Sequence, residues 1–226
     1  MNARGLAAPP RLYAIADADA LAPRTLPEAV AEIARAGVPW IQLRAKGRGS
    51  REFLRWIDES AERLQGTDAQ LWIDDRADLA AITNSKSERI FGVHVGQGDL
   101  PPHAVRQVVG DGVAIGLSTH TEAQLLAADR DPAVDLIAIG PIFQTTSKDR
   151  PDPVVGLDFV RWARATTQKP LVAIGGIDSS NLAPVFAAGA DSVVVLGAVC
   201  RPRDGSSVGE ACHTLLAAVA AVERTA

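Results

Sequence analysis

The sequence has few cysteines, no excess of positive charge and no long apolar run. Its two cysteines, Cys200 and Cys212, lack the spacing of a zinc site and are too few for a disulfide framework. The net charge of −4 gives no overall attraction to nucleic acid or to an anionic membrane. No segment offers the ~18 uninterrupted apolar residues of a transmembrane helix, and residues 1–10 lack the apolar stretch of a signal peptide. We therefore expect a cytoplasmic protein with small-molecule ligands and no nucleic-acid or membrane partner.

The chain also lacks any Gly/Ser-rich linker, block of like charge or low-complexity tract that would divide it. A length of 226 residues suits one well-buried domain. We expect residues 1–11 to form a flexible tail and residues 12–226 to form a single catalytic domain. The sequence does not fix the oligomeric state, and a homo-oligomer stays open.

Short apolar runs typical of β-strands recur eight times, and most are followed by turn residues and a segment of helical periodicity. Eight such βα units in one domain predict a parallel sheet closed into a (β/α)₈ TIM barrel, of class α/β. An open Rossmann-like sheet is the alternative, but no GxGxxG motif follows the first run. The predicted strands are Leu12–Asp17, Trp40–Lys46, Leu71–Asp75, Gly92–Gly96, Ala114–Thr119, Leu136–Phe143, Leu171–Gly176 and Ser192–Ala198.

The segments between these runs place apolar residues three or four positions apart, with charged residues opposite, as an outer ring of helices requires. The clearest predicted helices are Leu26–Ala36, Glu52–Leu64, Glu122–Asp131, Leu157–Ala165 and, as the eighth barrel helix, Val208–Glu223.

Polar residues and glycines gather at the carboxyl ends of the predicted strands, which meet at one mouth of a barrel, where ligands bind. In the second strand Gln42, Arg44 and Lys46 alternate with Leu43 and Ala45, so the three polar side chains share one face. Two cations and an amide on one face suit a pyrophosphate. An isolated Arg or Lys is more often surface charge, and this alternative applies here too.

Acidic residues end the next two strands. Asp74 and Asp75 close the third strand, and Asp99 follows the fourth. Carboxylates from neighbouring strands can share a Mg²⁺ ion that keeps waters and substrate phosphate oxygens as its other ligands. Alternatively, Asp75 serves as the N-cap of a helix that begins at Arg76.

The last three strands are followed by groups that can surround a phosphate. Thr145, Thr146, Ser147 and Lys148 offer three hydroxyls and an amine after the sixth strand. Glycines after the seventh and eighth strands let backbone amides approach a phosphate, in the usual phosphate site of this barrel class. Hydroxyl-rich loops and glycines are also common in ordinary turns.

Two histidines fall near the predicted mouth. His94 lies within a strand, where a packed and hydrogen-bonded core role is the more common one, whereas His120 is the candidate for an acid or base. No hydroxyl nucleophile, base and orienting group are in evident register, so no catalytic triad is predicted.

Taken together, six motifs resemble the thiamine phosphate synthase family in order and approximate spacing, from about residue 12 to the end. They are Gln42–Lys46, Ile73–Arg76, Gly92–Asp99, Ser118–His120, Gly140–Lys148 and Ile174–Ile177.

The resemblance implies an enzyme that joins a pyrimidine-methyl pyrophosphate to a thiazole phosphate, uses Mg²⁺ and releases pyrophosphate. It implies a dissociative reaction in which pyrophosphate leaves before the thiazole nitrogen attacks, with Arg44, Lys46 and Lys148 as catalytic residues. The implied contacts of the pyrimidine pyrophosphate are Gln42, Leu43, Arg44, Ala45, Lys46, Asp74, Ser118 and Lys148. Those of the thiazole phosphate are Thr145, Thr146, Ser147, Gly176, Leu196 and Gly197, and Asp75 and Asp99 are the implied magnesium ligands.

The chain departs from the family pattern at several positions. Asp74 stands where the family usually has Asn, so pyrophosphate binding is weakened or Asp74 helps to hold a cation. Gly197 replaces a usual Ser but keeps its backbone amide, Ala45 replaces an acidic residue, and Gln144 and Ser147 replace Pro and Thr. Two other functions stay open: a thiazole tautomerase that uses His120, and a non-catalytic phosphate-ligand sensor.

Overall fold

The computed structural model describes residues 8–85, 90–145 and 152–224. Its eight strands are all parallel and pair in sequence order, and the eighth pairs with the first, so the sheet closes into a barrel. The predicted (β/α)₈ barrel is thereby confirmed. The strands are β1 Leu12–Asp17, β2 Trp40–Arg44, β3 Gln70–Asp74, β4 Ile90–Val95, β5 Ala114–Thr119, β6 Leu136–Ile139, β7 Leu171–Ile174 and β8 Ser192–Val195.

Helices follow the strands and cover the outside of the barrel. Amphipathic helices such as Leu26–Arg35 bury their apolar face against the sheet and expose their polar face, and this burial stabilises the fold. The helices are α1 Ala18–Leu21, α2 Leu26–Arg35, α3 Ser50–Arg63, α4 Ala77–Asn84, α5 Pro102–Val109, α6 Glu122–Arg130, α7 Gly156–Thr166, α8 Leu182–Ala187, α9 Gly197–Cys200 and α10 Val208–Glu223.

The barrel interior is filled below its mouth by an aromatic layer made of Tyr13, Trp40, Trp72 and Phe91. Their ring centroids lie 5.0 to 5.7 Å apart, which is the usual spacing of packed aromatic pairs. Gly92 makes room for this layer, because a Cβ there would stand 2.5 Å from the Trp72 ring. The layer closes the barrel beneath the mouth.

The number and order of the strands agree with the sequence prediction, but the ends of several strands differ. The predicted second, sixth, seventh and eighth strands are too long: they end at Arg44, Ile139, Ile174 and Val195. After the seventh strand, Gly175 turns the chain with a φ of 106°. Gly197 begins the short helix α9, which the sequence analysis had placed in a strand. The short helix α1 was not predicted.

The first described residues contact the barrel. The Arg11 carbonyl accepts a hydrogen bond from the Val193 amide (3.0 Å), and its guanidinium lies 3.8 Å from the centre of the Phe186 ring. The rest of the predicted tail, residues 1–7, lies outside the described residues. Among the helices of the described part of the chain, none is long and apolar enough to cross a membrane.

Candidate functional site

The carboxyl ends of the strands open into a cavity of about 740 Å³ at the mouth of the barrel. Strands and loops from both sides of the mouth contribute to its wall, as the convergence of strand ends in a barrel predicts. The predicted site residues that line it are Gln42, Arg44, Lys46, Asp74, Ser118, Thr145, Gly176, Leu196 and Gly197.

One wall of the cavity is built from two cations held between three carboxylates. The guanidinium of Arg44 donates to Asp17, and its Nε lies 3.5 Å from Oδ2 of Asp74. The ammonium of Lys46 donates to Asp75, and its Nζ lies 3.7 Å from the same Asp74 oxygen. The predicted alternation is thus confirmed, because Gln42, Arg44 and Lys46 all line the cavity.

Burial and the neighbouring charges shift the pKa values of the carboxyl groups in this wall. Burial raises the pKa of the Asp74 carboxyl above its ordinary value, and the charge of Asp75 raises it further against the opposing effect of Lys46 and Arg44. Burial likewise raises the pKa of Asp75, although the hydrogen bond from Lys46 lowers it. Both carboxyl groups therefore hold their protons more readily than an ordinary aspartate does, and a cation bound beside them would favour their charged forms.

Asp75 adopts the left-handed backbone conformation, with φ of 60°. A non-glycine residue in this region is strained, and such residues often occur at functional sites. The alternative role of Asp75 as a helix cap is wrong, because α4 begins at Ala77 after Arg76 and has no side-chain cap. Its carboxylate turns instead to Lys46.

The charge of Asp99 raises the pKa of the Asp75 carboxyl, after the larger effects of burial and of Lys46. Oδ2 of Asp99 accepts a hydrogen bond from the Gly96 amide (2.9 Å), which fixes the loop after β4. The two carboxylates are hard oxygen ligands of the kind that Mg²⁺ takes in ones and twos. In the described ranges no group of three or more His, Cys, Asp or Glu residues is arranged to hold a metal.

The opposite wall carries the glycine-rich turns. Gly175 and Gly176 both have positive φ, and a Cβ on Gly176 would lie 2.4 Å from the Gln144 carbonyl oxygen. Only glycine allows the loop after β7 to pack this closely on the loop after β6. The Asn181 amide donates to the Gly176 carbonyl (2.9 Å) and holds the turn. The loop after β7 and a short helix after β8 are the usual phosphate site of this fold.

Several polar residues connect the walls. Nε2 of His94 lies 2.9 Å from Oγ of Ser118, so His94 is buried and hydrogen-bonded as predicted, but it also lines the cavity. His120 reaches the cavity, and its Nδ1 donates to the Gly140 carbonyl (2.6 Å). The Gln42 amide donates to the Tyr13 hydroxyl (2.8 Å), which ties it to the aromatic layer.

Some predicted site residues are placed elsewhere. The side chain of Leu43 is fully buried in the apolar core outside the barrel interior, so only its backbone is available to a ligand at the mouth. Ala45 and Asp75 border a second, smaller cavity of about 110 Å³ next to the main one. Thr146, Ser147 and Lys148 lie outside the described residues.

Tyr13 and Asp17 also line the cavity, although neither was predicted as a site residue from the sequence. Asp17 could have been predicted, because it is a carboxylate at the carboxyl end of the first strand, and these ends meet at the mouth of a barrel.

The closed barrel, with its cation-and-carboxylate wall facing glycine turns, places the chain among the (β/α)₈ barrels that carry their site at the carboxyl ends of the strands. The profile of the family described as "Thiamine monophosphate synthase" matches residues 12–199. The chain belongs to this family, and the family prediction made from the sequence is confirmed.

Individual relatives agree with this assignment. The chain is 48% identical over 203 residues to the thiamine-phosphate synthase of Koribacter versatilis, covering 88% of this chain and 93% of the relative. It is 42% identical over 196 residues to that of Acidothermus cellulolyticus, covering 86% and 90%. Among solved structures, a thiamine phosphate pyrophosphorylase from Pyrococcus furiosus matches with a TM-score of 0.80 and 28% identity, covering 94% of this chain and 96% of that one.

Proposed function

We propose that the protein condenses a pyrimidine-methyl pyrophosphate with a thiazole phosphate to give thiamine phosphate and pyrophosphate. The observation that carries the proposal is the pair Arg44 and Lys46, which face one cavity from β2 while the glycine turns after β7 and β8 line its other side. Membership of the family supports it. Contacts with the Asp74 carboxylate hold both cations at the cavity wall, with Nε of Arg44 at 3.5 Å and Nζ of Lys46 at 3.7 Å from its Oδ2.

The pyrimidine pyrophosphate would lie against the wall of Arg44, Lys46 and Asp74. The bond between the methylene carbon and the pyrophosphate oxygen breaks, and its electron pair leaves with the pyrophosphate. Arg44 and Lys46 then neutralise the charge that grows on the leaving group, which is where fixed cations lower a barrier most. Lys148 belongs to this set by resemblance, and it lies outside the described residues.

The thiazole phosphate would be held by Gly176, Leu196 and Gly197, together with Thr145. Its ring nitrogen then donates an electron pair to the methylene carbon, and the new C–N bond completes the product. No side-chain nucleophile takes part in this scheme. The resulting arrangement needs both phosphates to be bound at opposite walls of one cavity.

Asp75 and Asp99 would hold Mg²⁺, and a divalent cation there would favour the charged form of Asp75, whose pKa is raised by burial. When bound, magnesium supplies a Lewis acid that neutralises charge on pyrophosphate oxygens. We further infer a cytoplasmic location, which is supported by the two free, buried thiols of Cys200 and Cys212. A homo-oligomer stays a prediction.

The direct test mixes the purified protein with both phosphorylated substrates and Mg²⁺ and measures thiamine phosphate and pyrophosphate. We expect the two products in equal amounts. Binding of both ligands without product would contradict the proposal and favour the sensor, whereas isomerised thiazole phosphate without pyrophosphate would favour the tautomerase.

The metal assignment is tested by Asp75→Ala and Asp99→Ala. Each should reduce turnover by at least about tenfold and raise the Mg²⁺ concentration needed for half-maximal rate, because each removes a charged oxygen ligand. The matched control is Asp78→Ala, which removes a nearby carboxylate that pairs with Arg76 at the surface. Unchanged rates and metal requirement in both site variants would show that the ligands are misassigned.

A further inference from the structure

Asp17 uses its two carboxylate oxygens for different partners. Oδ1 accepts hydrogen bonds from the amides of Asp19 (3.1 Å) and Ala20 (2.8 Å) and so caps the short helix α1. Oδ2 accepts from Nη1 of Arg44. Asp17 is only 4% exposed, so this ion pair is shielded from water on the side of the carboxylate.

The strand register places this contact at the mouth. Asp17 and Arg44 are direct partners in the β1–β2 ladder, so their side chains leave adjacent strands at the same height. The other carboxylate near Arg44 is that of Asp74, and its Oδ2 is 3.5 Å from Nε, beyond a strong charge-assisted hydrogen bond. Asp17 is therefore the closer anchor of the guanidinium.

The segment capped by Asp17 also contacts cations from other parts of the mouth. The Asp19 carboxylate accepts from Nη2 of Arg48 (2.6 Å). The carbonyls of Asp19 and Ala20 accept from Arg201 (3.1 and 3.2 Å), which follows α9 on the side of the glycine turns. The capped segment thus spans the mouth between its two walls.

We propose that Asp17 is the positioning residue of Arg44. It holds the guanidinium in one orientation at the cavity wall, while its second oxygen fixes helix α1 to the same point. An arginine without such an anchor has several rotatable bonds and spends much of its time in other orientations. The inference rests on the proposed function, in which Arg44 neutralises the leaving pyrophosphate.

The test is Asp17→Asn, which keeps the size of the side chain and a good N-cap residue but removes the charge. Because the misplacement acts on the charge that develops during the reaction, kcat should fall by about ten- to a hundredfold, with a smaller change in KM. In an Arg44→Ala background the same substitution should leave kcat unchanged, since Asp17 acts through Arg44. An equal loss in both backgrounds, or no loss in the wild-type background, would overturn the inference.

The matched control is Asp135→Asn. Asp135 is also buried, and its Oδ2 pairs with Arg106 (2.6 Å), but it precedes β6 at the opposite end of the barrel from the mouth. It should lower the melting temperature without changing kcat. Asp17→Ser, which also retains an N-cap side chain, replaces Asp17→Asn in the same cycle if the first variant does not fold.

A binding measurement separates this inference from the proposed function. In calorimetric titration with Mg²⁺ and inorganic pyrophosphate, Asp17→Asn and Arg44→Ala should each weaken binding, and the double variant should be no weaker than Arg44→Ala alone. If the wild-type protein forms no thiamine phosphate, the proposed function is refuted, but the binding measurements still test the positioning role of Asp17. Additive losses of affinity would refute the positioning role instead.

Discussion

Asp74 places a carboxylate where the family usually has an amide, and the structure shows what surrounds it. Its Oδ2 atom is buried and accepts no hydrogen bond within the described part of the chain, although Arg44 and Lys46 lie 3.5 and 3.7 Å away. Burial and the charge of Asp75 both raise its pKa, which means that its negative charge is unfavourable at this position. A pyrophosphate bound at the same wall would meet that charge.

Asp74→Asn should therefore tighten the binding of pyrophosphate by about tenfold, because it removes a like charge and adds an amide donor. Calorimetric titration of the wild-type and variant proteins with Mg²⁺ and inorganic pyrophosphate measures the change. Asp78→Asn, on the exposed side of α4, is the control and should bind as the wild type does. Weaker binding together with a lower affinity for Mg²⁺ would mean that Asp74 helps to hold the cation.

For single residues, the sequence predicted well which side chains share one face of a strand. It predicted less well which other residues those side chains contact. The period of two placed Arg44 and Lys46 at the mouth, and the same period places Leu43 on the opposite face, although resemblance had assigned it to the site. The position of Asp17 at a strand end was visible in the sequence, but its contact with Arg44, 27 positions away, is not indicated by alternation along one strand.

Among the elements, the loop after β7 depends most on one residue type. Gly176 has a φ of +64°, and a Cβ there would stand 2.4 Å from the Gln144 carbonyl oxygen and 2.9 Å from Cβ of Phe143. Any side chain would push the β6 and β7 loops apart and displace the backbone that faces the cavity.

Gly176→Ala should weaken the binding of the thiazole phosphate by at least about tenfold and lower the free energy of unfolding by roughly 2 kcal/mol or more. Titration with the thiazole phosphate and chemical denaturation measure the two effects. Gly205→Ala is the matched control, because Gly205 has a similar φ of +74° but open space around its Cβ position. It should cost only the backbone strain, about 1 kcal/mol. Equal losses in both variants would show that packing of the two loops does not matter.

The sequence predicted long periodic elements well and short ones poorly. The segment 208–223 was predicted as a helix with its observed bounds, and a capping box of Ser207 and Glu210 marks its start. Helices α1 and α9 have four residues each, which is too few for a period of 3.6 to be visible. The predicted ends of β6 to β8 failed because a buried apolar run does not show where a strand stops pairing.

For the molecule as a whole, closure of the barrel could be predicted because eight βα units repeat along one domain-sized chain. The packing of its interior could not, since the fit of Trp72 over Gly92 joins residues of two strands. The burial of the two thiols, Cys200 on α9 and Cys212 on α10, could not be predicted from the sequence either. Burial raises the pKa of Cys200 to about 11 and that of Cys212 to about 12, from an ordinary value of 9.0.

These thiols should make the folded protein less stable at alkaline pH. A thiol with a raised pKa keeps its proton in the folded state and releases it on unfolding. Its contribution to stability is therefore complete below the unfolded pKa and is lost as pH rises from the unfolded pKa to the folded one. Between about pH 8 and about pH 10, the free energy of unfolding should fall by about 1 kcal/mol for each thiol.

Denaturant unfolding of the wild type and of a Cys200→Ala/Cys212→Ala variant at both pH values isolates this effect. The alanine cavities change the absolute stability, but only the thiols contribute a difference in slope with pH. Parallel slopes in the two proteins would contradict the expected titration.

The aromatic layer of Tyr13, Trp40, Trp72 and Phe91 closes the barrel beneath the cavity and leaves the mouth as its open end. In the proposed reaction both substrates would enter through this mouth. Both products would leave by it as well, because the aromatic layer closes the other way out of the cavity.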